Sequence, residues 1–276
     1  MPPFHPPVRI VFSATDSHGT ESGSEPAARN IFLRLDNELK MEFVHVPAGE
    51  FLMGSDPQKD VWADYHERPQ HRVNLPEYWI GRAPVTNAQY AAFVRATGAS
   101  APAHWCASQP PQELMDHPVV SVSWDEAAAF CQWLSRLTGR QLGLPSEAQW
   151  EKAARGTDGR LYPWGDAAPD ATRGNFNRGH QTTPVGRYSP QGDSPYGCVD
   201  MVGNVLEWCA DWFEDTYYRH SPADSPPGPD SGEQRVVRGS SFFDTAGFVR
   251  AARRGGVPPT FSHCLWGFRC VLLAAS

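Results

Sequence analysis

The chain has 276 residues, with 31 acidic side chains against 24 basic ones, a net charge of −7 and only three lysines (Lys40, Lys59 and Lys152). That length holds one large domain or two small ones with a real core, and without a basic stripe it excludes phosphate-driven binding of nucleic acid. No apolar run is long enough to cross a bilayer, so membrane insertion is not expected either.

Ten Trp, 24 Gly and 26 Pro describe a folded but loop-rich chain in which aromatic rings fill the space between irregular segments. The opening "MPPFHPPVRIVFSATDS" lacks the basic start and unbroken apolar stretch of a signal peptide, so a cytoplasmic location is the expectation. The six cysteines (Cys106, Cys131, Cys198, Cys209, Cys264 and Cys270) show no C-x-x-C zinc spacing and are expected as buried free thiols.

Residues 1–29 read as an N-terminal extension. "VRIVFSA" has the pattern of one strand, and "TDSHGTESGSEPAA" that of a mobile polar loop. A single domain is expected over 30–276. It begins with alternating apolar runs around Phe32 and Leu33, Met41 to Val44, and Phe51 to Met53, separated by turn residues at Asp36-Asn37 and Pro47-Ala48-Gly49, which reads as antiparallel strands. "VTNAQYAAFVRATG" reads as a helix capped by Thr86 or Asn87, with Tyr90, Phe93 and Val94 on its apolar face and Gly98 as its stop. In "SWDEAAAFCQWLSRLTG", Ser123 and Glu126 stand in capping-box spacing ahead of Ala127, Phe130, Cys131 and Leu134 on one face. "PSEAQWEKAARG" is a third, shorter helix, and after Gly156 the chain reads as loops and short strands.

Chemistry concentrates in few places. In "DMVGNVLEW", Asp200 and Glu207 are hard oxygen donors, and Gly203 and Val205 can offer backbone carbonyls, a mixture that suits Ca²⁺. The alternative is a loop-to-strand turn in which Asn204 takes the unusual dihedral and Glu207 faces water. Arg238, Arg250, Arg254 and Arg269 could each bind an anion, but read by default as loop ties, bidentate on carboxylates or carbonyls. No nucleophile–base pair stands out. His263 and Cys264 are adjacent, and on an extended segment consecutive side chains point apart, so no catalytic residue is assigned.

The segments "VHVPAGEFLMGS", "ERPQHRVNLPEYWIGRAPVTNAQYAAFV", "HPVVSVSWDEAAAFCQWL", "LPSEAQWEKAARG", "YPWGD", "TTPVGRY", "GCVDMVGNVLEWCADWF", "RVVRGSSF" and "GFRCV" follow one another as in the formylglycine-generating, sulfatase-modifying family, which the chain resembles over about Met41 to Val271. The resemblance implies an α+β, C-type-lectin-like fold with a small twisted antiparallel sheet, two main helices and many long loops. It also implies a structural Ca²⁺ at Asp200, Gly203, Val205 and Glu207. The family's enzymes oxidise a substrate cysteine with two copper-binding thiols. By the register of "RGSS" those positions fall on Asp244 and on or near Val249, neither a cysteine. A carboxylate does not replace a soft thiolate for Cu(I), so no copper and no formylglycine synthesis are expected.

The chain also looks like the variable proteins of diversity-generating retroelements, a non-enzymatic branch of that fold. There, adenine-rich codons near the 3′ end of the gene are rewritten by an error-prone reverse transcriptase. An AAC codon can then become any codon ending in C, and none of those encodes Lys, Gln, Glu, Met or Trp. All five are missing between Ser240 and Leu265. This resemblance implies a ligand-binding face at about 240–266 made by Phe243, Asp244, Thr245, Phe248, Arg253, Gly255, Gly256, Val257, Pro258, Phe261, His263, Cys264 and Leu265. Its partner would be a protein or other macromolecular ligand. An exposed aromatic patch of this kind is the physical signature of a binding surface.

Overall fold

Each α-helix starts where a hydroxyl can satisfy a free backbone N–H of the first turn. In α1 (Asn87–Thr97), α2 (Trp124–Thr138) and α3 (Glu147–Arg155) the capping side chains are Thr86, Ser123 and Ser146. They accept from the N–H groups of Gln89, Glu126 and Gln149, whose own side chains reach back to the capping residues' N–H groups, so all three are full capping boxes. Gly98 and Gly139 end α1 and α2 at φ 72° and 64°, a backbone region that glycine enters without a Cβ clash. The computed structural model describes residues 9–13, 30–35, 39–177 and 180–274. The turn expected at Asp36-Asn37 and the polar loop expected over 15–28 lie outside the described residues.

The strands form a larger sheet than expected. β1 (Arg9–Ser13), β2 (Asn30–Arg34), β3 (Lys40–Val46), β6 (Tyr78–Gly81), β12 (Val271–Leu273) and β7 (Leu142–Gly143) lie side by side in that order, all antiparallel. Two long-range pairings explain the size. The strand of the N-terminal extension pairs with β2, and β12, near the end of the chain, inserts between β6 and β7. A second sheet runs β10 (Arg254–Val257), β9 (Arg235–Arg238), β8 (Leu206–Trp212) and β11 (Trp266–Gly267), with β11 parallel to β8. β4 (Gly49–Met53) and β5 (His71–Leu75) form a separate antiparallel pair.

Two apolar clusters hold these layers together. In one, the faces of α1 and α2 meet the first sheet through Tyr90, Phe93, Phe130, Trp133 and Phe268. Tyr90 stacks on Phe130 at 5.7 Å, and Phe130 meets Phe268 edge-on at 5.4 Å. In the other, Trp150 and Ala153 of α3 pack with Phe51, Met53 and Val73. Each buried ring contributes roughly 1.5–3 kcal/mol over its exposed form.

This packing places the 240–266 stretch. The start of β8 lies between β9 and β11, so the chain leaves β9 and returns to β11 on either side of residues 204–206. Phe242 N–H donates to the Asn204 carbonyl at 3.0 Å, and Leu206 N–H donates to the Leu265 carbonyl at 2.8 Å. Both ends of the stretch are thus tied to one loop.

Candidate functional site

The frame of the stretch is ionic and buried. Arg254 closes on Glu147 with Nε–Oε1 at 2.6 Å and Nη2–Oε2 at 2.9 Å. Arg238 reaches Glu147 and Glu151, and its Nη1 and Nη2 also donate to the carbonyls of Ala252 and Ala251 at 3.0 Å. Arg250 binds Asp60 at 2.7 Å and both oxygens of Glu67. Burial alone would raise the carboxyl of Glu147, but Arg254 and Arg238 hold it below its ordinary range. These three arginines are therefore loop ties, the role expected of them from the sequence. Ala251, Ala252 and Phe268 are buried with them.

Outside this frame part of the stretch faces water. Phe243, Phe248 and Phe261 are 67%, 49% and 57% exposed. Thr245, His263 and Cys264 are exposed as well, and Gly255, Pro258 and Leu265 are half-buried.

Four residues expected on the free face have structural tasks instead. Asp244 accepts from both N–H and Oγ of Ser241 at 2.7 Å, which closes the 241–244 turn. Arg253 donates to the Gly239 carbonyl at 3.0 Å, pairs with Asp244 at 3.6 Å and lies over the Phe248 ring. At Gly256 an added Cβ would stand 2.5 Å from Cδ1 of Phe213 and 2.4 Å from Oε1 of Gln234, so that position admits no side chain without a shift. Val257 is partly buried against the first core cluster.

The structure also adds residues that the sequence did not single out. Val61 and Trp62 are 83% and 67% exposed. An added Cβ at Gly247 would lie 3.4 Å from the Trp62 indole, so this ring sits against the 246–248 turn. Arg250 brings the two loops together by binding Asp60 and Glu67. The 60–67 loop has no periodicity, and the tie spans 190 positions in sequence, so no local signal marks it.

His263 and Cys264 do not point apart as an extended segment would have them. Cys264 lies in a turn, with Sγ 3.8 Å from Nδ1 of His263, whose ring packs beside Trp266. Of the six free thiols, Cys131, Cys198, Cys209 and Cys270 are buried as expected, and Cys106 and Cys264 are exposed. Of the positions that the resemblance relates to copper-binding thiols, Asp244 closes a turn and Val249, on or near the second, is fully buried.

In the 200–207 loop Asn204 takes the left-handed dihedral of the turn alternative, at φ 65°, and Asp200 and Gly203 take it as well, at 53° and 78°. The solvent-facing alternative for Glu207 does not hold. Glu207 is buried, with Arg269 Nε on Oε2 at 2.6 Å, Arg269 Nη2 on Oε1 at 2.7 Å and Trp150 Nε1 on Oε2 at 2.8 Å. Asp200 is buried with one accepted backbone N–H, from Gly186 at 2.8 Å, and burial pushes its carboxyl up to about 6. No loop hydrogen bond among the described residues ends on the carbonyls of Gly203 or Val205. Among the described residues no group of three or more His, Cys, Asp or Glu side chains is arranged for a metal. A cation in this loop would therefore rest on Asp200, the two carbonyls and the one acceptor site that Arg269 and Trp150 leave on Glu207.

Comparison with known proteins agrees with this architecture. Residues 33–274 match the Sulfatase-modifying factor enzyme 1-like domain family. The formylglycine-generating enzyme of Streptomyces coelicolor is 35% identical, covering 82% of this chain and 88% of that protein. The inactive C-alpha-formylglycine-generating enzyme 2 of Mus musculus is 32% identical, over 86% of this chain and 88% of that protein. Among solved structures, Treponema denticola variable protein 1 superposes with a TM-score of 0.71 at 24% identity, over 88% of this chain and 98% of that one, a likeness of fold.

Proposed function

The chain belongs to the sulfatase-modifying factor enzyme 1-like family and has its C-type-lectin-like fold, and from that premise we propose that it is a non-enzymatic ligand-binding protein. The observation that carries the reading is the division within one stretch. Arg238, Arg250, Ala251, Ala252 and Arg254 are locked inside, while Phe243, Thr245, Phe248, Phe261, His263 and Cys264 are exposed. Such a face can change its side chains without disturbing the fold, which is what diversification by a retroelement requires. The absence of Lys, Gln, Glu, Met and Trp from 240–265 supports the same reading. Its partner is a macromolecule, most simply a protein, because three exposed aromatic rings gain most from burial against another apolar surface. A structural Ca²⁺ held by Asp200 and the carbonyls of Gly203 and Val205 would pin the loop on which the stretch hangs.

Formylglycine synthesis is the competing reading, favoured by 35% identity to a formylglycine-generating enzyme. Against it stands the register of "RGSS", which puts the two thiol positions on Asp244 and on or near Val249, where there is no cysteine. One experiment on DNA and one on protein decide between them. The gene should lie beside a reverse transcriptase and a near-copy of its own 3′ end that differs at adenines. Purified protein loaded with copper should form no aldehyde on a cysteine-containing peptide under oxygen. Aldehyde formation, or a locus without the repeat, would overturn the proposal.

A further inference from the structure

A cavity of about 610 Å³ opens beside the 55–70 segment and shares no lining residue with the 240–266 stretch. Its size lies within the range of roughly 300–1,000 Å³ that small-molecule sites occupy. Two short 3₁₀ turns border it, Tyr65–Glu67 and Tyr217–Arg219. The first is tied across 150 positions to the segment that leads into the second, by the Tyr65 hydroxyl, which donates to Oδ2 of Asp215 at 2.7 Å.

Two arginines line this cavity, Arg68 and Arg219, and they differ from the others described above. Arg238, Arg250, Arg254 and Arg269 are each matched to a carboxylate. Arg68 donates only through Nε, to the Asp64 carbonyl at 3.1 Å. That bond sets the plane of the guanidinium and leaves both terminal nitrogens without a partner among the described residues. Arg219 is exposed, and its side chain makes no ion pair or hydrogen bond among the described residues. The one carboxylate on the lining, Asp56, already accepts the Gln58 N–H at 2.9 Å. The wall beside the arginines is held in place, with Gln70 Nε2 on the Gly54 carbonyl at 3.2 Å and Ser55 Oγ on Asp60 and Glu67.

An arginine fork matches a planar or tetrahedral oxyanion with two parallel N–H···O bonds, and such charge-assisted bonds are about twice as strong as neutral ones. In a chain of net charge −7, two unmatched forks on one cavity form a local reversal of sign. We propose that this cavity binds a small molecule carrying a carboxylate or phosphate group, with Arg68 and Arg219 as its oxyanion-binding pair. The site is independent of the ligand-binding face and stands or falls separately from it.

Calorimetric titration of the full chain with citrate and with inorganic phosphate, in buffer free of other oxyanions, tests this. Binding of citrate alone assigns a carboxylate ligand, and binding of phosphate alone a phosphoryl one. In either case Arg68→Gln and Arg219→Gln should each weaken binding at least ~10-fold. Arg68→Lys, which keeps the charge and loses the fork, should fall between wild type and Arg68→Gln. Thermal melts of the same variants should match wild type, since neither guanidinium is part of the buried frame. Absence of heat with both probes, or equal binding by the Arg68→Gln/Arg219→Gln double variant, would overturn the proposal.

Discussion

Arg250, Arg254 and Arg269 are buried and each closes on a carboxylate, whereas Phe243, Phe248 and Phe261, a few positions away in the same stretch, keep about half or more of their surface in water. This inverts the usual partition, in which charges face out and rings face in. The inversion follows from the loop-rich architecture. A segment without a regular ladder must satisfy its backbone and hold its course by other bonds. Guanidinium groups do this well, because one fork can reach a carboxylate and several carbonyls at once. Arg269 shows it, with Glu207 on one side and the carbonyls of Gly81 and Val199 on the other, both at 3.0 Å. Once the backbone is held from inside, the outward side chains carry little of the fold's stability.

That contrast can be broken at its strong end first. Arg238→Ala leaves Glu151 to Arg155 alone and Glu147 to Arg254 alone, strips the Ala251 and Ala252 carbonyls of their donor, and should cost about 3–5 kcal/mol in a denaturant melt. Phe268→Ser, which removes a fully buried ring from the α1–α2 core, should cost a similar ~3–5 kcal/mol. A loss near zero at either position would mean that the frame lies elsewhere.

Calcium gives the next effect. If the 200–207 loop takes the ion, Ca²⁺ at a hundredfold excess over Kd should stabilise the wild type by about 2.7 kcal/mol. Asp200→Asn should lose most of that gain. A melting temperature indifferent to both Ca²⁺ and chelator would leave Arg269 and Trp150 as the partners of Glu207.

Gly256→Ser sharpens the comparison from inside the stretch. The added Cβ meets Phe213 and Gln234, so a change there should cost about 1–3 kcal/mol. The smallest effects belong to Phe243→Ser and Phe261→Ser, which should each shift stability by no more than about 0.5 kcal/mol. The same two changes should abolish capture of whatever ligand this version of the face binds. Large losses of stability at both would make the stretch a core segment rather than a face.

Much of the fold was legible in local patterns. Ser123 with Glu126 three residues on, and Gly139 after the last apolar position, define α2 by short-range chemistry alone, and the structure starts and stops the helix there. The arginines could be read as loop ties because a guanidinium fork in a loop-rich chain most often binds carboxylates and carbonyls of its own fold. Their partners could not be read, since Asp60 and Glu67 lie 190 and 183 positions from Arg250. Trp62 was missed for the same reason, because it reaches Gly247 through that tie and not through any motif of its own.

The sequence by itself determined the helices with their caps, the family and the composition of the 240–266 stretch, because each depends on neighbouring residues or on an ordered set of motifs. Only the tertiary structure decided which members of that stretch are free. Gly255 and Gly256 are the same residue, yet a Cβ at the first would make an ordinary contact with Val237 at 3.7 Å, and at the second would strike Phe213. Asp244 and Thr245 are both small and polar, yet one closes a turn and the other faces water. A side chain's freedom is set by what packs against it, and in this chain those neighbours come from loops far away in sequence.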